Sequence, residues 1–343
     1  MTMFEKCKSY VLFNAANRFY FTRFESSSGC VILTPEEKIF ITDSRYIEAA
    51  KKALAGWTII KATDKIETLI AAELNRLGLK SVGFEDDTLS VAAFKKLEQC
   101  LGGISLVPIS SEIAQLRAIK TEEEISKIAA AQQLAEKAFL KAKSVIKPGI
   151  TERDFAAELL YEMQKLGASG AAFDIIVAFG ENTAFPHHKT GQRALAKDDI
   201  ILVDMGAKLD GFCSDMTRTF NIGNPCQKLK NLHALVLEAQ NLALSKIRAG
   251  MTCKQADAIV RDFFKATGYE KEFGHSLGHS IGIAVHENPR LAATCEEVLK
   301  PNMVVTVEPG LYIEGLGGVR IEDMIVIKEN GNVNLTKMGK DMC

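Results

Sequence analysis

The sequence has no apolar run long enough to cross a bilayer, since a spanning helix needs about 20 such residues. Its first residues, MTMFEKCKSYVLFN, carry charges at Glu5, Lys6 and Lys8 and lack the uninterrupted apolar centre of a secretory leader. It has almost no net charge: 42 basic against 43 acidic residues leave −1 at pH 7. That removes any general attraction to nucleic acid or to an anionic membrane. None of its eight cysteines (7, 30, 100, 213, 226, 253, 295 and 343) stands in a C-x-x-C spacing. Scattered thiols of this kind read as reduced residues of a cytoplasmic protein. No histidine precedes His187, so the serine cluster Ser26-Ser27-Ser28 has no imidazole in its own part of the chain to act as a base.

What is present is an ordinary globular composition, 47% hydrophobic and 25% charged, over 343 residues. That length exceeds one typical core and predicts two domains, read here as 1–115 and 116–343. The first reads as a small α/β domain. Strands are predicted at Tyr10 to Phe13, Cys30 to Thr34, Ile39 to Thr42 and Thr58 to Lys61, with helices over Asp43 to Leu54, Asp64 to Leu77 and Ser90 to Cys100. It holds no catalytic constellation and is expected to shape a mouth or an oligomer contact. The joint falls near Ser110 to Lys120. Thr121 and Glu124 then form a capping box that opens a long helix to about Ile146, stopped by Pro148-Gly149.

A repeat follows. Residues 147–167, KPGITERDFAAELLYEMQKLG, align without gaps on 248–268, RAGMTCKQADAIVRDFFKATG. Each copy follows a long helix and opens on Gly-x-Thr, with Thr151 and Thr252 placed as N-caps. Each half ends on an acidic hairpin. In ILVDMGAKLDGFCSDMTRTF, from Ile201, the β-branched run, the Asp210-Gly211 turn signal and the resumed strand bring Asp204 and Asp215 opposite or diagonal to each other. In VVTVEPGLYIEGLGGVRIEDMIVI, from Val304, the acids are Glu308 and Glu322. Like charges that close, among apolar neighbours, repel unless a cation separates them. For one hairpin alone, a solvent-facing Asp or a shared proton would serve as well. If the halves pack about a pseudo-twofold axis, four carboxylates meet.

Three of the six histidines lie between the hairpins, in HSLGHSIGIAVHE (275–287). His275 and His279 have the i, i+4 spacing of a helical metal pair. Gly274, Gly278 and Gly282 oppose a helix, so a strand or loop is expected, with only one of the two needed at a metal. His233 reads as a plain helix residue. Cys213 reads as a small buried hydrophobe. Four carboxylates and one imidazole suit two divalent cations, Mn²⁺ first, with Co²⁺, Fe²⁺ or Zn²⁺ able to bind. Paired cations about 3.5–4 Å apart activate water and polarise a carbonyl.

At these residues the chain resembles the pita-bread metallopeptidases, the family of methionine aminopeptidase, aminopeptidase P and prolidase. VDMGAKLDGFCSDMTRTF, PHH after FGENTAF, HSLGHSIGIAVHE, TVEPGLYI and GGVRIEDMIVI carry the resemblance. It extends from about Leu116 to Met338, about two-thirds of the chain. NRFYFTRFESSSGCVILT, TDSRYIEAA and LRAIKTEEEISKI resemble the N-terminal domain of the proline-specific branch, which methionine aminopeptidases lack.

The resemblance implies an α+β fold, a small α/β N-terminal domain before a pseudo-twofold pita-bread domain. It implies Asp204 on one metal, His279 and Glu308 on the other, and Asp215 and Glu322 bridging both. Glu308 would also shuttle the proton. His187 would contact substrate or leaving group, and His286 the scissile carbonyl and its oxyanion. His275 and Arg320 would support the ligands or touch substrate, and Arg320 reads equally as the structural partner of a carboxylate. Three departures stand out: His275-Ser276 for His-Gly, Met324 for a second Asp after Glu322-Asp323, and Phe21-Thr22-Arg23-Phe24 for Leu-Thr-Gly-Phe. None touches an implied ligand.

The expected function is hydrolysis of the Xaa-Pro bond at the N-terminus of peptides, as in aminopeptidase P, by a cytoplasmic homodimer with no nucleic-acid or membrane partner. The alternative is a prolidase acting on Xaa-Pro dipeptides. From other classes come a non-catalytic peptide-binding member of the fold and a metal-independent amidinohydrolase. Because an Xaa-Pro bond is a tertiary amide without N–H, it needs a site that recognises the ring and asks nothing of that hydrogen.

Overall fold

The apolar runs of the first hundred residues pair into one sheet. Strands β1 (Tyr10–Leu12), β2 (Cys30–Leu33), β3 (Lys38–Thr42), β4 (Thr58–Lys61), β5 (Ser81–Phe84) and β6 (Ser105–Pro108) lie in the order β4-β3-β2-β1-β5-β6. The meander β1-β2-β3 is antiparallel; β4, β5 and β6 each join in parallel. Parallel joins need crossovers, supplied by α2 (Ile47–Ala53), α3 (Ile66–Arg76) and α4 (Val91–Leu101), while α1 (Ala15–Thr22) follows β1 and α5 (Ser110–Ala118) follows β6. Both sheet faces are covered, with Val11, Ile32, Ile39 and Ile41 in one apolar cluster and Tyr10, Leu12, Val31 and Phe40 in another. The computed structural model describes residues 3–341. Its chain divides into two units, Met1–Arg117 and Ala118–Cys343. No helix among the described residues is long and apolar enough to cross a membrane. Seven cysteines are free thiols; Cys343 lies outside the described residues.

The second unit is built twice over. Its first half has α6 (Glu122–Ala142), α7 (Glu152–Lys165) and strands β7 (Gly170–Ala171), β8 (Ile176–Phe179), β9 (Ile200–Met205), β10 (Ala207–Leu209), β11 (Phe212–Cys213) and β12 (Met216–Asn221). Its second half has α8 (Gln227–Lys246), α9 (Cys253–Ala266) and strands β13 (Gly278–Ser280), β14 (Glu287–Leu291), β15 (Val304–Val307), β16 (Gly310–Ile313), β17 (Gly317–Arg320), β18 (Asp323–Lys328) and β19 (Gly331–Asn334). Each half packs its helix pair on its own sheet around a separate core. The expected capping box is formed at Thr121/Glu124, and the expected N-caps Thr151 and Thr252 each complete one as well, with Asp154 and Gln255.

The repeat extends to the backbone around α7 and α9. Gly149 N–H donates to Leu195 O and Leu195 N–H to Ile150 O; Gly250 N–H donates to Leu299 O and Leu299 N–H to Met251 O. One residue past each N-cap, Glu152 N–H reaches Arg193 O and Cys253 N–H reaches Glu297 O. Two sequences of low identity thus make the same turn-to-helix entry.

Each half also ends on its antiparallel pair. Strands β9 and β12 pair with Asp204 opposite Thr217, which puts Asp215 diagonal to Asp204. Between them the chain leaves for a second small sheet, β11-β10-β7, and turns at Asp210 and Gly211, both at positive φ, as a two-residue hairpin loop requires. Strands β15 and β18 pair from Val304↔Val326 to Val307↔Asp323, leaving Glu308 and Glu322 at the open end. Two glycines permit the close approaches behind these acids. A Cβ on Gly206 would stand 1.9 Å from Ser214 O, and one on Gly278 2.1 Å from Thr306 O.

Gly206→Ala is therefore expected to cost on the order of 3 kcal/mol through overpacking against backbone. Gly170→Ala, where a Cβ meets nothing within 4 Å, should stay within about 0.5 kcal/mol. Denaturant unfolding of both variants checks the contrast.

Candidate metal centre

The open ends of the two acidic hairpins meet. Asp215, His279 and Glu322 each offer a ligand atom, all within 4.8 Å of one another. His279 Nε2 lies 3.6 Å from Asp215 Oδ2 and 3.5 Å from Glu308 Oε1. Asp204 raises the proton affinity of Asp215, Glu308 and Glu322 through space, so it belongs to the same charge cluster. Asp215, Glu322 and His279 are buried, at 5%, 2% and 7% exposure.

Burial, then repulsion from the neighbouring carboxylates, holds the Asp215 and Glu322 carboxyls well above the ordinary range. Burial is also the main cause for Glu308, whose pKa is pushed up to about 7, with Arg320 pulling down and Asp204 pushing up. His279 moves the opposite way, to about 4, because burial and the neighbouring His286 oppose a charged ring. It is a neutral imidazole near pH 7, its Nδ1 turned to the carbonyl of Ser280 at 3.1 Å. A neutral imidazole among acceptor-only carboxylates is the donor set of a divalent cation. Asp204 agrees: its Oδ1 is buried and has no hydrogen-bond partner among the described residues, which is costly unless a ligand supplies one.

Neighbouring bonds aim these side chains. His279 N–H donates to Thr306 Oγ1 at 3.0 Å, and Thr306 Oγ1 donates to Glu308 Oε1 at 3.1 Å. Thr217 Oγ1 donates to Glu322 Oε2 at 2.7 Å, tying the two hairpins together. Buried Arg218 donates to the backbone O of Glu322 and to Asp323 Oδ1.

The remaining residues singled out from sequence fall around this cluster. His279 joins it and His275 does not. His275 Nε2 sits 3.1 Å from Tyr312 Oη, and burial with the nearby Arg320 charge brings its pKa to about 4. Arg320, 4% exposed, bonds Asp204 Oδ2 at 2.7 Å, Tyr312 Oη at 2.8 Å and Thr217 Oγ1 at 3.0 Å. Its bond to Asp204 joins it to the carboxylate cluster. His188 turns to buried Glu152, Nε2 to Oε2 2.8 Å, while His187 is exposed and its charge is felt at His275 and His286. The His286 ring stands edge-on to that of His279, centroids 4.5 Å apart, and burial and Arg290 lower its pKa. Cys213 is buried and turns its Sγ to Ile283 O. His233 lies in α8, its Nε2 at Thr219 O.

Arg290 was missed in the sequence. It lies in β14 directly across from His279, is exposed, and has no hydrogen bond or ion pair among the described residues. Its charge is felt at His279, His286 and Glu308. Its spacing was the available signal, since alternate residues of a strand share a face and Arg290 follows His286 by four.

A doubled fold with buried carboxylates and one neutral imidazole at its centre defines a metal-dependent hydrolase. The comparisons make the class specific. Residues 126–329 match the model of Metallopeptidase family M24, and residues 5–119 that of the Creatinase/Prolidase N-terminal domain. The chain belongs to the M24 metallopeptidases. It is 36% identical to the Xaa-Pro dipeptidase of Pyrococcus furiosus, over 95% of this chain and 92% of that protein. A solved Xaa-Pro dipeptidase from Bacillus anthracis superposes with TM-score 0.94 at 40% identity, covering 98% of this chain and 94% of that one. An X-Pro aminopeptidase from Thermotoga maritima superposes with TM-score 0.92 at 36% identity, covering 97% and 96%.

Without metal, the raised carboxyls keep protons in the fold that the unfolded chain has lost. Their contribution to stability is complete below the ordinary carboxyl range and is lost as pH rises through the folded values, about 7 for Glu308. A cation must displace those protons, so the gain in Tm on adding metal to chelator-stripped protein should be small at pH 5 and large at pH 8. Calorimetric scans at both pH values check this; equal gains would contradict it.

Proposed function

We propose that this chain is an Xaa-Pro dipeptidase whose catalytic divalent cations are held by Asp204, Asp215, His279, Glu308 and Glu322. The observation that carries the dipeptidase reading is Arg290, an unpaired guanidinium beside His286 and across from His279. A dipeptide differs from a longer peptide in carrying a carboxylate on the proline itself, one residue from the scissile bond. An unpaired guanidinium is the group that recognises it. The names of relatives support the same choice, so the alternative drawn from the sequence is preferred to the aminopeptidase P expectation. Two cations per chain, manganese among the metals, a homodimer and a cytoplasmic setting complete the proposal. The oxygen-rich donor set supports manganese, and the free thiols support a reducing compartment.

Cations in such a site supply Lewis-acid polarisation of a carbonyl and a water-derived nucleophile at neutral pH. The chain's residues do the rest. Proline nitrogen leaves as an amine only after gaining a proton. Glu308, held by Thr306 at the centre of the cluster, would take a proton from the attacking water and give one to that nitrogen. His286, held below its ordinary pKa by burial and Arg290, is a neutral donor for the oxyanion that forms on the carbonyl. His187, exposed at the same mouth, contacts substrate on the leaving-group side. His275 and Tyr312 hold Arg320, and Arg320 holds Asp204.

Rates on Ala-Pro and Ala-Pro-Ala with metal-loaded protein test the reading. The dipeptide is expected to be the better substrate, and preference for the tripeptide would restore the aminopeptidase P reading. Loss of neither activity on chelation would remove the metal from the account. Arg290→Gln should lower kcat/KM on the dipeptide by about 10- to 100-fold, the worth of one charge-assisted hydrogen bond, and leave residual tripeptide cleavage almost unchanged.

A further inference from the structure

One buried charge in the catalytic unit has no part in the site described so far. Lys120 is 3% exposed. Its Nζ donates to Ala118 O at 3.2 Å, Ser280 Oγ at 3.0 Å and Glu287 Oε2 at 3.3 Å. Glu287 is equally enclosed, its side chain 5% exposed. Its other oxygen, Oε1, accepts from the backbone N–H groups of Ile283 and Ala284 at 3.0 and 3.1 Å.

Both partners of the ammonium immediately follow a histidine of the site. Ser280 follows His279, and Glu287 follows His286. Ser280 and Glu287 are also cross-strand partners, at the irregularity where the β13–β14 register shifts. Successive residues of a strand point to opposite faces. The two imidazoles stand 4.5 Å apart, and the residue after each presents a hydroxyl or a carboxylate to a single lysine. The intervening turn, 281–286, is closed by Glu287 Oε1 from the same side.

The register shift disrupts the ladder locally, and His286 lies outside it, so ladder bonds alone do not hold His286 against His279. A buried ammonium that bonds both Ser280 and Glu287 ties the two residues together, and breaking such a buried contact is costly. We infer that Lys120, through Ser280 and Glu287, is a positioning residue that sets the His279–His286 separation and so the placement of the oxyanion donor. The inference rests on the roles proposed above for His279 and His286.

Three variants test it: Lys120→Met, Glu287→Gln and the double substitution. Glu287→Gln keeps the Oε1 acceptor for Ile283 and Ala284 and replaces the oxygen that faces Lys120 with a donor NH2, so it removes the contact without emptying the site and decides the question alone if Lys120→Met does not fold. Each single variant should lower kcat on Ala-Pro about 10- to 100-fold, the scale of a misplacement of order 1 Å, with KM changed less than about 3-fold. Metal content per chain should match the parent protein. A phosphinate analogue of the tetrahedral intermediate should lose affinity in step with kcat/KM, and the double variant should be no worse than the poorer single one. Hydrogen exchange of the metal-loaded protein should quicken across 281–287 and not across 323–328. A kcat within twofold of the parent in a folded Glu287→Gln variant overturns the inference, even if exchange quickens. Parent protein that cleaves no Xaa-Pro peptide overturns the functional reading instead; unchanged exchange across 281–287 then overturns the Lys120 inference separately.

Discussion

Carboxylates that cannot all be ionised in the dry interior of one fold are the constraint on which the rest of this structure depends. Asp204, Asp215, Glu308 and Glu322 come from two hairpins far apart in the sequence, and packing removes the water that would screen them. The fold accommodates them in two ways. Protons stay on Asp215, Glu308 and Glu322 above the usual range, and Arg320 turns to Asp204. Neither satisfies the buried Oδ1 of Asp204. A divalent cation relieves the repulsion and fills that oxygen at once, so affinity for metal is stored in the fold as electrostatic strain.

Doubling makes such a centre accessible to a chain of this size. Each half folds around its own helix pair and sheet and needs only to leave two acids at the open end of one strand pair. Cross-links between the halves then set the geometry, with Thr217 on Glu322 and Arg218 on the backbone of Glu322. Functional histidines come from the segments that bound these hairpins, His187 before β9, and His279 and His286 before β15. Asp204 and His279 stand on strands β9 and β13, while Asp215, Glu308 and Glu322 lie just beyond strand ends.

The parts of this arrangement legible in the sequence were those written locally. Thr121-x-x-Glu124 marked a capping box, Gly-x-Thr marked the N-caps Thr151 and Thr252, and Asp210-Gly211 marked the hairpin turn. The gap-free match of 147–167 to 248–268 marked the repeat. Glycines around His279 argued correctly against a helix, because Gly278 must pass the backbone of Thr306. Short parallel strands were missed: Ser81–Phe84 and Ser105–Pro108 have four residues each, with a glycine or a proline, too few to show a period. The long helix read to Ile146 tightens into a 3₁₀ turn after Ala142. The particular contacts between distant residues were not written in the sequence. Arg320 on Asp204, Lys120 between Ser280 and Glu287, and the unpaired charge of Arg290 exist only once both sheets have formed.

The central claim is that five side chains from two half-domains hold the catalytic cations. A crystal of the metal-loaded protein measured at the absorption edge of the added metal tests it most directly. The account predicts anomalous peaks at coordination distance, about 2.0–2.3 Å, from oxygens or nitrogens of Asp204, Asp215, His279, Glu308 and Glu322, with Asp204 Oδ1 among the ligands. A peak placed elsewhere, or no peak while the purified protein cleaves Ala-Pro in the presence of chelator, would contradict it.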